Sequence, residues 1–239
     1  MDLSIVNNLE TEYNKAIKLF QENQYAECET KLKYILEYIP DNSDVLNFYG
    51  RLKQFTSNFD ESIEILEKSV KCDNNNFMGH YNLGLAYCIK KDLKKTKLNF
   101  EKYQELNTDK SRFYCNLYLS KLHFDELDIE ETKYYYNKSN IPLFQKLSIL
   151  LIPRVYESTE QIDYYRKLYL ESLINIYNDC DDIIVKSNDV FTEYLQFIYC
   201  YGFPLSYQGK NNKDILEMQC KLYRKIFPCL NYTSPYLDE

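Results

Sequence analysis

Three asparagines stand at multiples of one spacing. Asn82 and Asn116 are 34 residues apart, and Asn14 lies two such steps before Asn82. A carboxamide both donates and accepts hydrogen bonds, so a ladder of them can hold the backbone of an extended peptide whatever its side chains. The same groups can equally bond one helix to the next. Tyr13, Arg51, Tyr81 and Leu85 flank the ladder, Phe48 stands where it skips a step, and Arg51 offers a cation to an acidic ligand. This is binding chemistry; no bond is made or broken by such a set.

Residue types that make and break bonds are present but not arranged for it. The eight cysteines include no CxxC pair, and the only histidines are His80 and His123. Zinc needs ligands clustered at short spacings. Neither GxGxxG nor GxxxxGK[ST] occurs, which removes the phosphate-cradling loops. Acidic pairs such as Glu130-Glu131 and Asp181-Asp182 are adjacent, whereas side chains that face together on a helix are three or four apart. No catalytic, cofactor or metal residue is expected. His80 reads as a packing residue, and the cysteines as reduced, mostly buried thiols of the cytoplasm or another reducing compartment.

Composition narrows the partners. The 239 residues carry a net charge of -7 with a pI near 5.1, against nucleic-acid binding. The one basic run, from Lys90 to Lys97, has no interleaved aromatics and reads as a solvated turn and outer face. No secretory leader and no membrane-length apolar stretch is visible. With 5 glycines and 6 prolines, the chain has too few turn residues for an all-β fold.

The elements that would position the asparagines follow from the same period. Gly50 aligns with Gly84 and Ala16, Ser62 with Thr96 and Cys28, and Leu66 with Phe100 and Leu32. Each unit reads as two helices, with small residues permitting close approach and one large residue filling the gap. A single pair cannot bury its apolar face, but a stack can. The run His80-Tyr81-Asn82-Leu83-Gly84-Leu85-Ala86-Tyr87, followed by Thr96 and Phe100, resembles the tetratricopeptide repeat, as does Ile39-Pro40-Asp41-Asn42 at the end of the first unit. Lys53, where an aromatic is usual, and Tyr103, where a small residue is usual, depart from it. The resemblance implies an all-α, right-handed helical solenoid whose first helices line a concave groove. The expected repeats are 9–42, 43–76, 77–110 and a degenerate 111–139, its second helix shifted by a short insertion.

Residues 140–239 lose the period and read as an α-helical extension. An apolar helix over 141–152 ends at Pro153. Ser158 and Gln161 form a capping box for a helix to about Asn178. Further helices span about 190–200, ended by Gly202 and Pro204, and from Asn212 to Phe227. Three stretches resemble the segment that joins repeats to the catalytic domain in the O-linked N-acetylglucosamine transferase (SPINDLY-like) family. They are Ile152-Pro153-Arg154-Val155-Tyr156-Glu157-Ser158 with Ile162-Asp163-Tyr164; Phe203-Pro204-Leu205-Ser206-Tyr207-Gln208-Gly209-Lys210-Asn211-Asn212; and Lys221-Leu222-Tyr223-Arg224. In that family a nucleotide-sugar-binding α/β body follows; its strands, histidine and lysine have no counterpart here, so no catalytic residue carries over.

The expectation is a non-catalytic protein- or peptide-binding module, resembling the substrate-recognition part of a protein O-glycosyltransferase. One alternative is the N-terminal part of an active nucleotide-sugar glycosyltransferase. Another is a self-associating scaffold, a homodimer held by Tyr-rich faces at Tyr134, Tyr135 and Tyr136 and at Tyr164 and Tyr165. No cofactor, nucleic acid or membrane partner is expected.

Overall fold

The computed structural model describes residues 3–107, 113–153, 155–198 and 209–231, and among them every regular element is helical. The chain divides into two compact units, Met1–Cys115 and Asn116–Glu239. This division follows packing; the expected end of the repeats, at residue 139, follows sequence period.

The first unit holds three helix pairs: α1 (Leu3–Gln21) with α2 (Tyr25–Tyr38), α3 (Ser43–Phe55) with α4 (Phe59–Cys72), and α5 (Phe77–Ile89) with α6 (Leu93–Leu106). Asn42 and Asn76 start α3 and α5 identically, each accepting from the amide three residues on, Val45 at 3.0 Å and Gly79 at 2.9 Å. These caps occupy helix donors that would otherwise have no partner. Between the helices of each pair the chain turns through one left-handed residue, Asn23, Ser57 or Lys91, at φ of 60°, 61° and 59°. Each helix packs on its pair-mate, α2 packs on α3, α4 on α5, and α3 on α5.

The small residues are needed where the alignment puts them. A Cβ on Gly50 would lie 2.4 Å from Leu66 Cγ, and one on Gly84 would lie 2.5 Å from Phe100 Cδ1. Ser62 Oγ, fully buried, donates to the Gly50 carbonyl at 2.8 Å. Ala16, Cys28, Leu32 and Leu52 are sealed in the first core cluster, and Leu66, Leu83, Ala86 and Tyr87 form the next.

Lys53, the departure from the aromatic pattern, is buried and satisfied by ion pairs. Its Nζ meets Glu29 and Glu61, each at 2.9 Å, and Lys33 completes the set on Glu29 at 2.7 Å. Burial works against the Glu29 carboxylate, but hydrogen bonds from Lys33, Lys53 and Tyr49 outweigh it and bring its pKa down to about 2. Burial likewise works against the Lys53 cation, and its bonds to Glu29 and Glu61 hold its pKa above the ordinary lysine value. Tyr103, the other departure, is buried against Phe77 and Tyr81, and its hydroxyl accepts from Asn107 at 2.7 Å.

Helix α7 (Phe113–Asp125) leads into α8 (Ile129–Lys138), and here the register changes. From α5 to α7 the step is 36 residues, from the last residue Ile89 to the last residue Asp125. The left-handed turn residue moves by the same step, from Lys91 to Leu127 at φ 65°, and so does the helix cap, from Asp92 to Asp128. Thr132 and Tyr136, both fully buried, take the places of Thr96 and Phe100. The two-residue shift is therefore already present at the end of α7, and does not arise between α7 and the second helix as expected from sequence.

The second unit continues through α9 (Pro142–Leu147), which tightens into a 3-10 turn at Ser148–Leu150. The expected single helix over 141–152 is thus broken. Ser148 Oγ donates to the Gln145 carbonyl at 2.7 Å, a local bond that competes with the α-helical ladder. Ser158 caps α10 (Thr159–Asn178) by accepting from the Gln161 amide at 3.2 Å. Gln161 Oε1 accepts from Glu157 N at 2.7 Å, so the capping box closes one residue earlier than expected. Then come a 3-10 turn at Asp181–Ile183, α11 (Asn188–Leu195) and α12 (Lys213–Ile226), which packs on α10. Helix α11 ends before the expected 200; Cys200, Gly202 and Pro204 lie outside the described residues, as does most of the stretch 203–212.

Candidate peptide-binding face

The first helices of the three pairs lie side by side. Aromatic rings join α1 to α3: Tyr13 meets Phe48 at 5.8 Å, and Phe20 meets Phe48 at 5.4 Å and Phe55 at 4.8 Å. Carboxamides join α3 to α5: Asn82 Nδ2 donates to Asn47 Oδ1 at 2.8 Å, and Gln54 Nε2 donates to the Asn82 carbonyl at 2.7 Å.

The three asparagines are in three different situations. Asn14 is exposed on α1. Asn82 is buried, with one amide hydrogen committed to Asn47. Asn116 is also buried, donating to the Lys138 carbonyl at 3.0 Å. The 36-residue step also puts Asn116 in register with His80, and Tyr118 in register with Asn82. The expected ladder of equivalent carboxamides is therefore corrected: the step from α5 to α7 is 36 residues and not 34, and two of the three amides bond within the fold.

The flanking residues shape the face. Arg51 is exposed, its guanidinium carbon 5.3 Å from the Phe20 ring centre and 5.7 Å from that of Phe55. Such stacking fixes a cation's direction while leaving its hydrogens to a ligand. Tyr81 is half-buried on Tyr103, 5.0 Å away, and Leu85 is half-buried beside it on α5. Tyr13 lines a hollow of about 410 Å³ with Leu9, Ile35 and Val45, edged by the exposed carboxylates of Glu10 and Asp44. Burial, with Asp44 nearby, pushes the Tyr13 phenol pKa up. Sequence reasoning missed Phe20, Phe55 and Asn47. The four-residue step from Arg51 to Phe55 was a usable signal for the stacked pair.

Groups of other expected chemistries are occupied or buried. Among the described residues, no cluster of three or more His, Cys, Asp or Glu side chains could hold a metal. His123 stacks on Tyr135 at 5.3 Å. The cysteines are less uniformly buried than expected: Cys28, Cys115 and Cys180 are buried, while Cys72, Cys220 and Cys229 are exposed. Burial, with Glu29 adjoining, pushes the Cys28 thiol up to about 11. The Tyr-rich faces are also thinner than expected. Tyr135 and Tyr136 are interior, leaving Tyr134 and Tyr164 exposed. No described helix is long and apolar enough to cross a membrane.

No family model and no curated protein matches the chain. Solved structures do. The MamA protein superposes with a TM-score of 0.57 at 16% identity, over 75% of this chain and 97% of that one. PilW, a type IV pilus biogenesis factor, gives 0.56 at 13% identity, over 95% of each chain. A tetratricopeptide repeat protein from Parabacteroides merdae gives 0.53 at 12% identity, over 90% of this chain and 84% of that one. At these identities the likeness is one of fold. The fold is the all-α tetratricopeptide-repeat helical solenoid with an α-helical extension.

Proposed function

We propose that the chain is a non-catalytic repeat module that binds a protein segment or extended peptide along its first-helix face. One observation carries this reading: α1, α3 and α5 lie side by side, presenting Asn14, Arg51, Tyr81 and Leu85 with open polar or apolar surface. Asn14 and Arg51 supply hydrogen bonds, Tyr13, Tyr81 and Leu85 apolar contact, and Asn82 holds the helices in register. Asn116, buried and in register with His80, is not part of this face. The test is selection of peptides on the immobilised protein, followed by titration of Arg51→Glu and Leu85→Asp variants that keep their helical circular dichroism. Selected peptides should lose at least ~10-fold in affinity for either variant. Unchanged affinity for both rejects the face.

The stretches around 152–164 and 221–224 support a finer reading, the recognition part of a protein O-glycosyltransferase. If the natural gene product is much heavier than the 28.8 kDa of this chain, it should hydrolyse a nucleotide sugar; a product of this mass removes the reading. Exposed Tyr134 and Tyr164 support self-association, which light scattering across a dilution series tests.

A further inference from the structure

The second helices frame grooves on the side away from the first-helix face, and two successive grooves differ. In the earlier one, between α2 and α4 over α3, Tyr49 spans the gap. Its hydroxyl reaches Glu29 on α2 at 3.1 Å and Glu61 on α4 at 3.5 Å, with Lys53 bridging the same two carboxylates. In the later one, between α4 and α6 over α5, the residue in register with Tyr49 is Leu83. A groove of about 510 Å³ remains open there.

The open groove has a hydrogen-bonded floor. The apolar pair Leu46 and Ile65 of the earlier repeat is replaced, in register, by His80 and Asn99, both buried. Asn99 Nδ2 donates to the Lys95 carbonyl at 2.9 Å, which turns Asn99 Oδ1 toward His80 Nδ1 at 3.1 Å, while His80 Nε2 faces the Asn74 carbonyl at 3.2 Å. These bonds hold the floor below the rim instead of letting it fill.

Three rim carboxylates of the earlier groove are lost in the open one. Glu37, Glu61 and Glu64 of the earlier groove correspond to Lys71, Lys95 and Leu98 of the open one. Lys95 stands over the Tyr87 ring at 4.7 Å, Lys102 adds a third ammonium, and Glu67, which accepts from the Tyr87 hydroxyl, is the single carboxylate of the lining. Leu98 is 66% exposed, a bare apolar side chain at the lip. We infer that this groove is a second binding site, taking an acidic partner segment that seats an aliphatic side chain against Leu83 and Leu98 and sets carboxylates beside Lys71 and Lys102. Charge complementarity selects the occupant: Lys71, Lys95 and Lys102 outnumber the one carboxylate of this lining, whereas Glu37, Glu61 and Glu64 of the neighbouring groove would repel it.

The probe is a fluorescein-labelled decapeptide alternating leucine and glutamate, with its glutamine counterpart as control, followed by anisotropy on the full chain. Saturable binding is expected, at least ~10-fold weaker for the glutamine peptide and for the Lys71→Glu/Lys102→Glu variant. Leu83→Tyr, which restores the closing residue of the earlier groove, should weaken binding with charge unchanged. Circular dichroism confirms that the variants fold. The inference is overturned by absence of saturable binding, by equal affinity for the glutamine peptide, or by indifference to the lysine reversals. It is equally overturned if Arg51→Glu weakens binding as much as those reversals, which places the peptide on the first-helix face.

Discussion

Adding one methyl group at Gly84 tests the packing logic of the repeat most sharply. The new Cβ would meet Phe100 Cδ1 and Cε1, each at 2.5 Å, whereas unstrained carbon contacts lie near ~3.5–4.0 Å. The ring is fully buried and must retreat by about 1 Å into a close-packed core. Overpacking of this kind costs ~1–3 kcal/mol. Alanine in place of glycine within a helix returns ~1 kcal/mol. The expected net loss is therefore up to ~2 kcal/mol, read as a lower urea midpoint and a Tm lowered by up to several degrees. The companion variant is Gly84→Ala/Phe100→Leu, which copies the Ala16 and Leu32 pair that the first repeat already buries completely. There the methyl should cost a few tenths of a kcal/mol or less, giving a favourable coupling of ~1 kcal/mol. If Gly84→Ala stabilises the protein in both backgrounds, helix propensity governs the site and the close-approach argument is refuted.

Lys53→Met removes the cation shared by Glu29 and Glu61 while keeping the bulk of the side chain. It should cost ~1–3 kcal/mol by chemical denaturation, since Glu29 loses one of its two ammonium partners. The same network sets an acid response. Glu29 titrates near an ordinary 4.5 when unfolded and near 2 when folded, so its contribution is complete above pH ~4.5 and disappears as pH falls toward ~2. A pH series of unfolding midpoints should show that limb, made shallower by Lys53→Met. Under native conditions Ellman's reagent should label Cys72, Cys220 and Cys229 promptly, whereas Cys28, Cys115 and Cys180 should wait for unfolding; mass mapping of the labelled sites checks this.

How much of this was legible beforehand depends on the range of the forces involved. The helix pairs, their small residues and the filling Leu32, Leu66 and Phe100 could be read from sequence, because a stacked repeat needs the same apolar spacing in every unit. The Ser158 cap and the helix from Thr159 to Asn178 follow from local hydrogen bonding and were equally readable. The asparagine spacing was legible, but its meaning was not. A two-residue change of step between α5 and α7 moved Asn116 out of register, and only three-dimensional neighbours show Asn82 bonded to Asn47. The buried Lys53 looked like a flaw in the pattern until Glu29 and Glu61 came together around it from two other helices. The groove over α5 stays open because Leu83 does not reach across where Tyr49 does. Sequence by itself determined the small and apolar positions that recur inside each repeat, since those depend on periodicity. Tertiary structure decided which polar groups satisfy one another and which surfaces stay open, since those bonds join residues far apart in the chain and depend on distances that only the packed helices set.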